Sequence, residues 1–319
     1  MTRVGMSSIR NWKLKGTVQK VLSVIPGGVR LNDELQVSMG GLRNFESNIA
    51  AKLDDWLGLI SYLDIVQRGK IQGITILEVG TGWCPTLPLA FALAGAGRIL
   101  TVDLNRHLKE DWTFRMLGVL ERHLPVIAKA GKLPLEEVSS TYRRFRQATS
   151  AQQLLSAAAI EYRAPEDASN LSSLPDGCVD LEYSNSVMEH VPGPVIAAIM
   201  RESCRVLKDD GLVLHAVACN DHYANFDSTI SFVNYLQFSE RQWCRWNNPI
   251  QYQNRLRAPD FLQLARENGL EILHEARHTR PGTREALATM KLAPEFASYT
   301  REDLEATTID FVARKKAKV

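Results

Sequence analysis

The amino-acid sequence predicts an α/β fold with an open, doubly wound and mostly parallel sheet of seven strands. Two patterns lead to this prediction. Short runs rich in Val, Ile and Leu alternate along the chain with helix-length amphipathic segments. The first of these runs ends in a glycine-rich turn, and the second ends in an acid. With 45% hydrophobic and 23% charged residues among 319, the composition is that of a globular protein with a full core.

Seven apolar runs have the length and the β-branched content of buried strands. Helical patterns follow the first run, from Leu87 to Ala96, and the fourth, from Pro194 to Leu207. A strand, a glycine-rich turn, a helix and a second strand make a βαβ unit, which requires the two strands to be parallel. The predicted strands are Ile74–Val79, Arg98–Leu104, Ile160–Arg163, Val179–Tyr183, Leu212–Ala218, Leu270–His274 and Thr307–Ala313.

The chain divides into a helical N-terminal cap, residues 1–70, and a sheet domain, residues 71–319. In the cap, apolar residues recur at helical spacing from Trp12 to Ile25 and from Phe45 to Val66. Within the sheet domain, insertions at about 105–157 and 219–257 are too long for simple connections. We expect the cap and both insertions to cover the carboxyl edge of the sheet, where ligands bind in such folds.

Charge and cysteine content exclude several classes of protein. A net charge of +2 does not indicate a nucleic-acid partner. The five cysteines form no CxxC pair, so neither a metal site nor a disulfide framework is predicted, and a reducing, cytoplasmic location is expected. No apolar run is long enough to span a membrane. The oligomeric state stays open, a homodimer included.

The main motif is the turn after the first predicted strand, Glu78-Val79-Gly80-Thr81-Gly82-Trp83. Glycines at 80 and 82 allow a tight turn and a close approach of backbone to ligand. Asp103 ends the next strand, where a carboxylate can accept hydrogen bonds from two ribose hydroxyls. The third glycine of a dinucleotide fingerprint and the Lys-Ser/Thr of a P-loop are both missing. A ligand without a pyrophosphate is therefore favoured over NAD or ATP.

Two further segments carry a resemblance to a known family. The stretch Leu174–Val191 (LPDGCVDLEYSNSVMEHV) and the stretch Arg205–Gly211 (RVLKDDG) resemble motifs of the class I S-adenosylmethionine (SAM)-dependent methyltransferases, most closely the small-molecule, type 11-like group. The resemblance implies a Rossmann-like fold and SAM as co-substrate. It departs from the family at Cys84-Pro85, after the glycine turn, and at Asp209-Asp210.

The resemblance also implies roles for matching positions. The turn after the first strand would line the methionine part of SAM, and Asp103 would bind the ribose. The pair Asp167-Ala168 would bind the adenine ring and recognise its amino group. Trp83 would either stack near the cofactor or pack against the N-terminal cap. The implied cofactor-binding residues are Glu78, Gly80, Thr81, Gly82, Trp83, Asp103, Asp167, Ala168, Ser184 and Asn185, the last two facing the sulfonium.

Candidate catalytic residues follow the fourth and fifth strands. His190 would lie near the pocket, although a structural histidine at a helix start is an equally simple interpretation. His222 could act as a base near neutral pH, and Tyr223 could orient or shield the acceptor. The alternative is a rim loop without chemistry. Aromatic residues are concentrated between Asp221 and Tyr252, which indicates a packed lid or an aromatic-walled pocket.

Methyl transfer to a small metabolite is the leading interpretation of these motifs. A second hypothesis keeps the fold and changes the reaction, either to cyclisation of SAM to azetidine-2-carboxylate and methylthioadenosine or to aminocarboxypropyl transfer, with SAM as the sole or shared substrate. A third is a non-catalytic SAM-fold subunit. A nicotinamide oxidoreductase fits poorly, because the phosphate-binding glycine pattern is incomplete.

Overall fold

The computed structural model describes residues 11–28, 31–32, 44–67 and 69–317. Part of the predicted N-terminal cap, 1–70, therefore lies outside the described residues. Within the part that is described, no helix combines the length and apolar character that a membrane span requires.

The core of the molecule is one seven-stranded sheet in the order β3-β2-β1-β4-β5-β7-β6. The first five strands pair in parallel, whereas β7 lies antiparallel between β5 and β6. This arrangement confirms the predicted mostly parallel α/β sheet. The strands are β1 (Thr75–Val79), β2 (Arg98–Val102), β3 (Ile160–Arg163), β4 (Val179–Asn185), β5 (Leu207–Ala218), β6 (Leu270–His278) and β7 (Thr308–Lys315).

The central strands carry apolar side chains on both faces, and each face of the sheet therefore has its own apolar core. In β1, Ile76 packs into the core on one face and Leu77 into the core on the other. Both side chains are fully buried. Because successive side chains of a strand point to opposite faces, such a continuous apolar run requires helices on both sides.

Six of the helices that the structure describes cover the first face. Trp56 of α2 packs edge-to-face on Phe91 of α3, with ring centroids 5.6 Å apart, and Phe91 also contacts Tyr183 of β4. The first insertion supplies four of these helices, which extend the same apolar layer. The six are α2 (Phe45–Ile65), α3 (Thr86–Leu93), α4 (Glu110–Leu120), α5 (Leu124–Ala130), α6 (Leu135–Phe145) and α7 (Ala151–Ala157).

The second face carries α8 (Gly193–Val206) and α10 (Ala258–Glu267), with Ile196, Met200 and Phe261 among its fully buried side chains. Each helix presents its apolar residues as one stripe, as expected for a helix half-covered by a sheet.

A third apolar cluster joins the N-terminal helix to the second insertion. Trp12 of α1 (Trp12–Leu22) contacts Tyr223, Trp243 and Trp246, and its backbone N–H donates to Asp227 Oδ2 at 3.1 Å. Many of the aromatic residues of the insertion therefore form the core of a lid. The cluster also includes residues of α11 (Thr283–Thr289) and α12 (Arg301–Glu305), and α9 (Glu240–Trp243) lies within the lid.

Candidate active site

The turn after β1 takes a shape that its glycines make possible. Gly80 has φ 91° and Gly82 has φ 66°, both in the left-handed region. A Cβ added to Gly80 would lie 2.4 Å from Cγ2 of Val187, on the turn after β4. Around Gly82, by contrast, no atom of the described residues lies within 4 Å of such a Cβ. The turn is thus closed on the side of β4 and open at Gly82, where a ligand can approach the backbone.

Asp103, directly after β2, makes hydrogen bonds to the turn after β1 and to the segment after β3. Its Oδ2 accepts the backbone N–H of Gly82 at 3.0 Å, and its Oδ1 accepts that of Asn105 at 3.1 Å. The Asp103 carbonyl also accepts the N–H of Glu166 at 2.9 Å, which fixes the segment after β3. Each carboxylate oxygen therefore uses one lone pair within the protein. The remaining acceptor capacity suits two ribose hydroxyls.

The Asp167-Ala168 pair lies beyond β3, on the segment held by Asp103. Asp167 is exposed, and its Oδ1 accepts the backbone N–H of Ser169 at 2.8 Å. Ala168 is half-buried and packs against the apolar core of the second face. Asp167 therefore presents a hydrogen-bond acceptor to solvent beside the apolar side chain of Ala168.

Glu78 lies beneath the turn. It is 5% exposed, and its carboxylate accepts hydrogen bonds from Tyr183 Oη at 2.8 Å and from Thr101 Oγ1. Burial raises the pKa of Glu78 to about 7. The buried Thr81 hydroxyl pairs with that of Thr101. Because the Glu78 carboxylate is buried and hydrogen-bonded within the protein, it supports the turn from below and does not face the ligand side.

Ser184 and Asn185 end β4 on opposite faces. Ser184 is fully buried, and its hydroxyl pairs with Nδ1 of His215 at 2.8 Å. Asn185 is half-buried and donates from Nδ2 to Asp55 Oδ2 of α2 at 3.1 Å. Only Asn185 of this pair therefore lies at the mouth of the sheet.

Trp83 packs against the first insertion. Its ring meets Trp112 of α4 edge-to-face with centroids 4.6 Å apart, and its carbonyl accepts the N–H of Lys109 at 3.0 Å. The side chain is half-buried. It therefore packs on α4 at the rim of the predicted cofactor site.

A cavity of about 370 Å³ opens beside Asn185, between α2 and the carboxyl edge of the sheet. The Tyr62 hydroxyl donates to Asp310 Oδ2 at 2.8 Å, and His278 Nε2 lies 3.1 Å from the same oxygen. Burial raises the pKa of Asp55. Sequence reasoning missed these residues, because α2, β6 and β7 meet only in the folded sheet. The polar lining consists of Asp54, Asp55, Tyr62, Asn185, Ser186, Asn220, His278, Arg280, Thr308 and Asp310.

The predicted catalytic histidines come together where β4 and β5 end. The rings of His190 and His222 have centroids 4.9 Å apart, and His222 Nε2 lies 3.8 Å from Oε1 of Glu189. Burial lowers the pKa of His222 to about 3, with smaller contributions from His190, Arg280 and Lys15. The His222 imidazole is therefore neutral at pH 7.

Tyr223 lies inside the lid. It is 1% exposed, and its hydroxyl donates to the carbonyl of Trp246 at 2.9 Å. Its ring contacts Trp12 and Trp243. The structure thus places the ring and hydroxyl of Tyr223 in the core of the lid, where they pack rather than face a ligand.

One family model matches part of the chain. Residues 138–215, which run from α6 into β5 and make up about a quarter of the chain, match a family model described as a methyltransferase domain. No curated protein matches the chain.

Several solved structures match most of the chain at low sequence identity. Geranyl diphosphate C-methyltransferase from Streptomyces coelicolor A3(2) is 15% identical, with 86% of this chain and 84% of that chain covered and a TM-score of 0.44. A SAM-dependent methyltransferase from Methanosarcina mazei is 15% identical, covering 77% of this chain and 94% of that one, with a TM-score of 0.43. The 4+2 cyclase SpnF is 15% identical, with coverages of 81% and 82% and a TM-score of 0.43.

Proposed function

We propose that this chain, a SAM-dependent transferase of the class I methyltransferase superfamily, moves the methyl group of SAM to the amine of a small molecule. The observation that carries the proposal is the acidic cavity beside Asn185. Its volume of about 370 Å³ is in the range of small-molecule sites. Among the described residues, three carboxylates line it, those of Asp54, Asp55 and Asp310, beside one guanidinium, that of Arg280. This surplus of negative charge favours a cationic or hydrogen-bond-donating acceptor.

In this proposal SAM lies across the ends of β1 to β4. The open backbone at Gly82 receives the methionine part, Asp103 holds the ribose hydroxyls, and Asp167 with Ala168 reads the adenine. Gly80 and Thr81 shape the turn, and Glu78 supports it from below. Asn185, at the end of β4, also lines the cavity, where its side chain donates a hydrogen bond to Asp55. It therefore connects the proposed SAM site to the cavity. An acceptor in the cavity is then adjacent to the sulfonium end of SAM.

The reaction is an in-line displacement. The amine nitrogen attacks the methyl carbon with its lone pair, the carbon–sulfur bond breaks, and sulfur keeps the bonding pair in S-adenosylhomocysteine. The nitrogen must be unprotonated at attack, so a proton has to leave it. Asp55 is the proposed acceptor of this proton, since burial raises its pKa from the usual range of aspartate. Holding the two reactants side by side supplies much of the rate.

Substitution of Asp55 by asparagine tests this assignment. With methyl-deuterated SAM and a panel of small amines, Asp55→Asn is expected to lower kcat/KM at least about a hundredfold, the smaller end of the range for a general base. The affinity for SAM should stay unchanged, because Asp55 belongs to the acceptor cavity. Mass spectrometry of the labelled product and calorimetry with SAM measure the two quantities.

Asp64→Asn is the matched control. Asp64 lies on the same helix, where its carboxylate pairs with Lys132 on the surface at 2.8 Å. This variant should behave as the parent. Methylation of a parallel panel of alcohols and thiols, with the amines left unlabelled, would contradict the amine assignment while leaving methyl transfer intact.

A further inference from the structure

Three potential metal ligands converge beyond the ends of β4 and β5. Glu189 and His190 lie on the 3-10 turn Met188–His190, and His222 begins the 3-10 turn His222–Asn225. The two strands are parallel neighbours, so their turns meet at the same edge of the sheet. One ligand atom from each of the three side chains lies within 4.8 Å of the others.

Glu189 is the least expected member of this group. It is 2% exposed, and neither carboxylate oxygen has a hydrogen-bond partner of good geometry. The backbone of Glu189 itself and of Ala218 lies near the carboxylate without making a hydrogen bond of good geometry to it. A buried carboxylate without a partner is costly, and such groups are normally paired or coordinated to a metal. Its Oε1 faces His222 Nε2 at 3.8 Å.

A hydrogen bond to the backbone holds the ring of His190 in an orientation that suits a metal ligand. Its Nδ1 lies 2.6 Å from the carbonyl oxygen of Tyr252. A carbonyl can only accept, so Nδ1 carries the proton and Nε2 holds a free lone pair. Metal-binding histidines are usually fixed in this way, through a carbonyl or carboxylate on the other ring nitrogen.

The loop after Tyr252 holds both turns in place. Asn254 Nδ2 donates to the carbonyls of Met188 and Val191, at 2.7 and 2.8 Å, and its N–H donates to that of Glu189. Gln253 Oε1 accepts the backbone N–H of His222 at 3.1 Å, while its Nε2 donates to Asn220. The relative position of the three side chains is thus fixed by a hydrogen-bonded scaffold.

We propose that Glu189, His190 and His222 bind one divalent transition-metal ion of the Zn²⁺ class. Two imidazoles and one carboxylate favour such an ion over Mg²⁺ or Ca²⁺, which prefer sets made only of oxygen ligands. Three protein ligands leave a coordination position open, as in catalytic zinc sites. His190 is exposed and the His222 side chain is 17% exposed, so a solvent or substrate oxygen can reach this position.

Only a small movement is needed to close the site. In a tetrahedral site with bonds of about 2.1 Å, ligand atoms lie roughly 3.4 Å apart. The Glu189–His222 pair, at 3.8 Å, is already near this separation. Side-chain rotation within the existing turns can supply the rest.

Metal binding to the intact chain tests the proposal without an assay of activity. After dialysis against a chelator, the chain is titrated with Zn²⁺ by calorimetry, and metal content is measured after equilibrium dialysis. One equivalent is expected to bind. Glu189→Gln and His222→Ala should each weaken binding at least about tenfold, since loss of an outer-shell partner alone costs about 10–100-fold. Glu189→Gln keeps the shape of the side chain and therefore serves if His222→Ala fails to fold.

His123→Gln is the control, because it removes a histidine from the short 3-10 turn Glu121–His123 between α4 and α5. This variant should bind Zn²⁺ as the parent does. Substitution with Co²⁺ gives a second readout, a visible spectrum that the two site variants should lose. A parent chain that binds no Zn²⁺, or site variants that bind it as tightly as the parent, would overturn the assignment. These outcomes do not depend on whether the acceptor is an amine.

Discussion

Replacement of Asp103 by alanine is expected to raise the dissociation constant for SAM at least about a hundredfold, which corresponds to at least about 2.7 kcal/mol of binding free energy. Hydrogen bonds to a charged group contribute about 1.5–3 kcal/mol each, and the ribose would lose two of them. The same substitution frees the N–H of Gly82, so the glycine turn loses one of its supports. Isothermal calorimetry with SAM measures the change.

Asp111→Ala is the corresponding control, since Asp111 is an exposed acid in the first turn of α4. It should bind SAM as the parent does. Far-UV circular dichroism separates loss of affinity from loss of fold. A folded Asp103→Ala chain with unaltered affinity for SAM would refute the proposed position of the ribose.

Alanine at Gly80 is expected to lower the free energy of unfolding by roughly 2–5 kcal/mol. A left-handed backbone costs a non-glycine residue about 1–2 kcal/mol, and overpacking adds about 1–3 kcal/mol. The overpacking arises because the new Cβ would lie 2.4 Å from Val187 Cγ2. Urea denaturation measures the loss. Gly118→Ala, at an open position in α4, should be neutral or slightly stabilising.

The double variant Gly80→Ala/Val187→Ala separates the two contributions. Removal of the Val187 methyl groups relieves the contact, whereas the backbone cost remains. The double variant should therefore lose less stability than the sum of its single variants. Additive losses would show that the turn after β4 does not restrict the turn after β1.

Local sequence patterns were enough to predict the strands. Predicted β3 has the observed bounds, and predicted β1 and β2 begin within one residue of the observed strands. The position of β7 between β5 and β6 could not be read from these patterns, because strand order depends on contacts between distant segments. The first insertion was expected over the sheet edge, and the structure places its four helices in the layer on one face.

For the candidate site, the sequence predicted contacts within one βαβ unit but not contacts between distant segments. The turn at Gly80 and Gly82 lies against Asp103, as the βαβ pattern implies. Ser184 and Asn185 were predicted together, yet alternation along β4 sends their side chains to opposite faces. Asp55 and Asp310 carried no motif signal for the proposed site, because their partners lie far away in the sequence. Glu189 stands beside His190 in the family-like motif, but the third member of their group, His222, follows a different strand. Folding alone creates their surroundings.

The nucleoside product made from SAM is the most direct test of methyl transfer. The chain is incubated with SAM, first alone and then with small amines, and the nucleosides are identified by mass spectrometry. We predict S-adenosylhomocysteine in amounts equal to the methylated amine, formed only when an acceptor is present. Methylthioadenosine, formed from SAM alone above its spontaneous rate, would contradict this account and indicate an enzyme that uses the aminobutyrate arm of SAM.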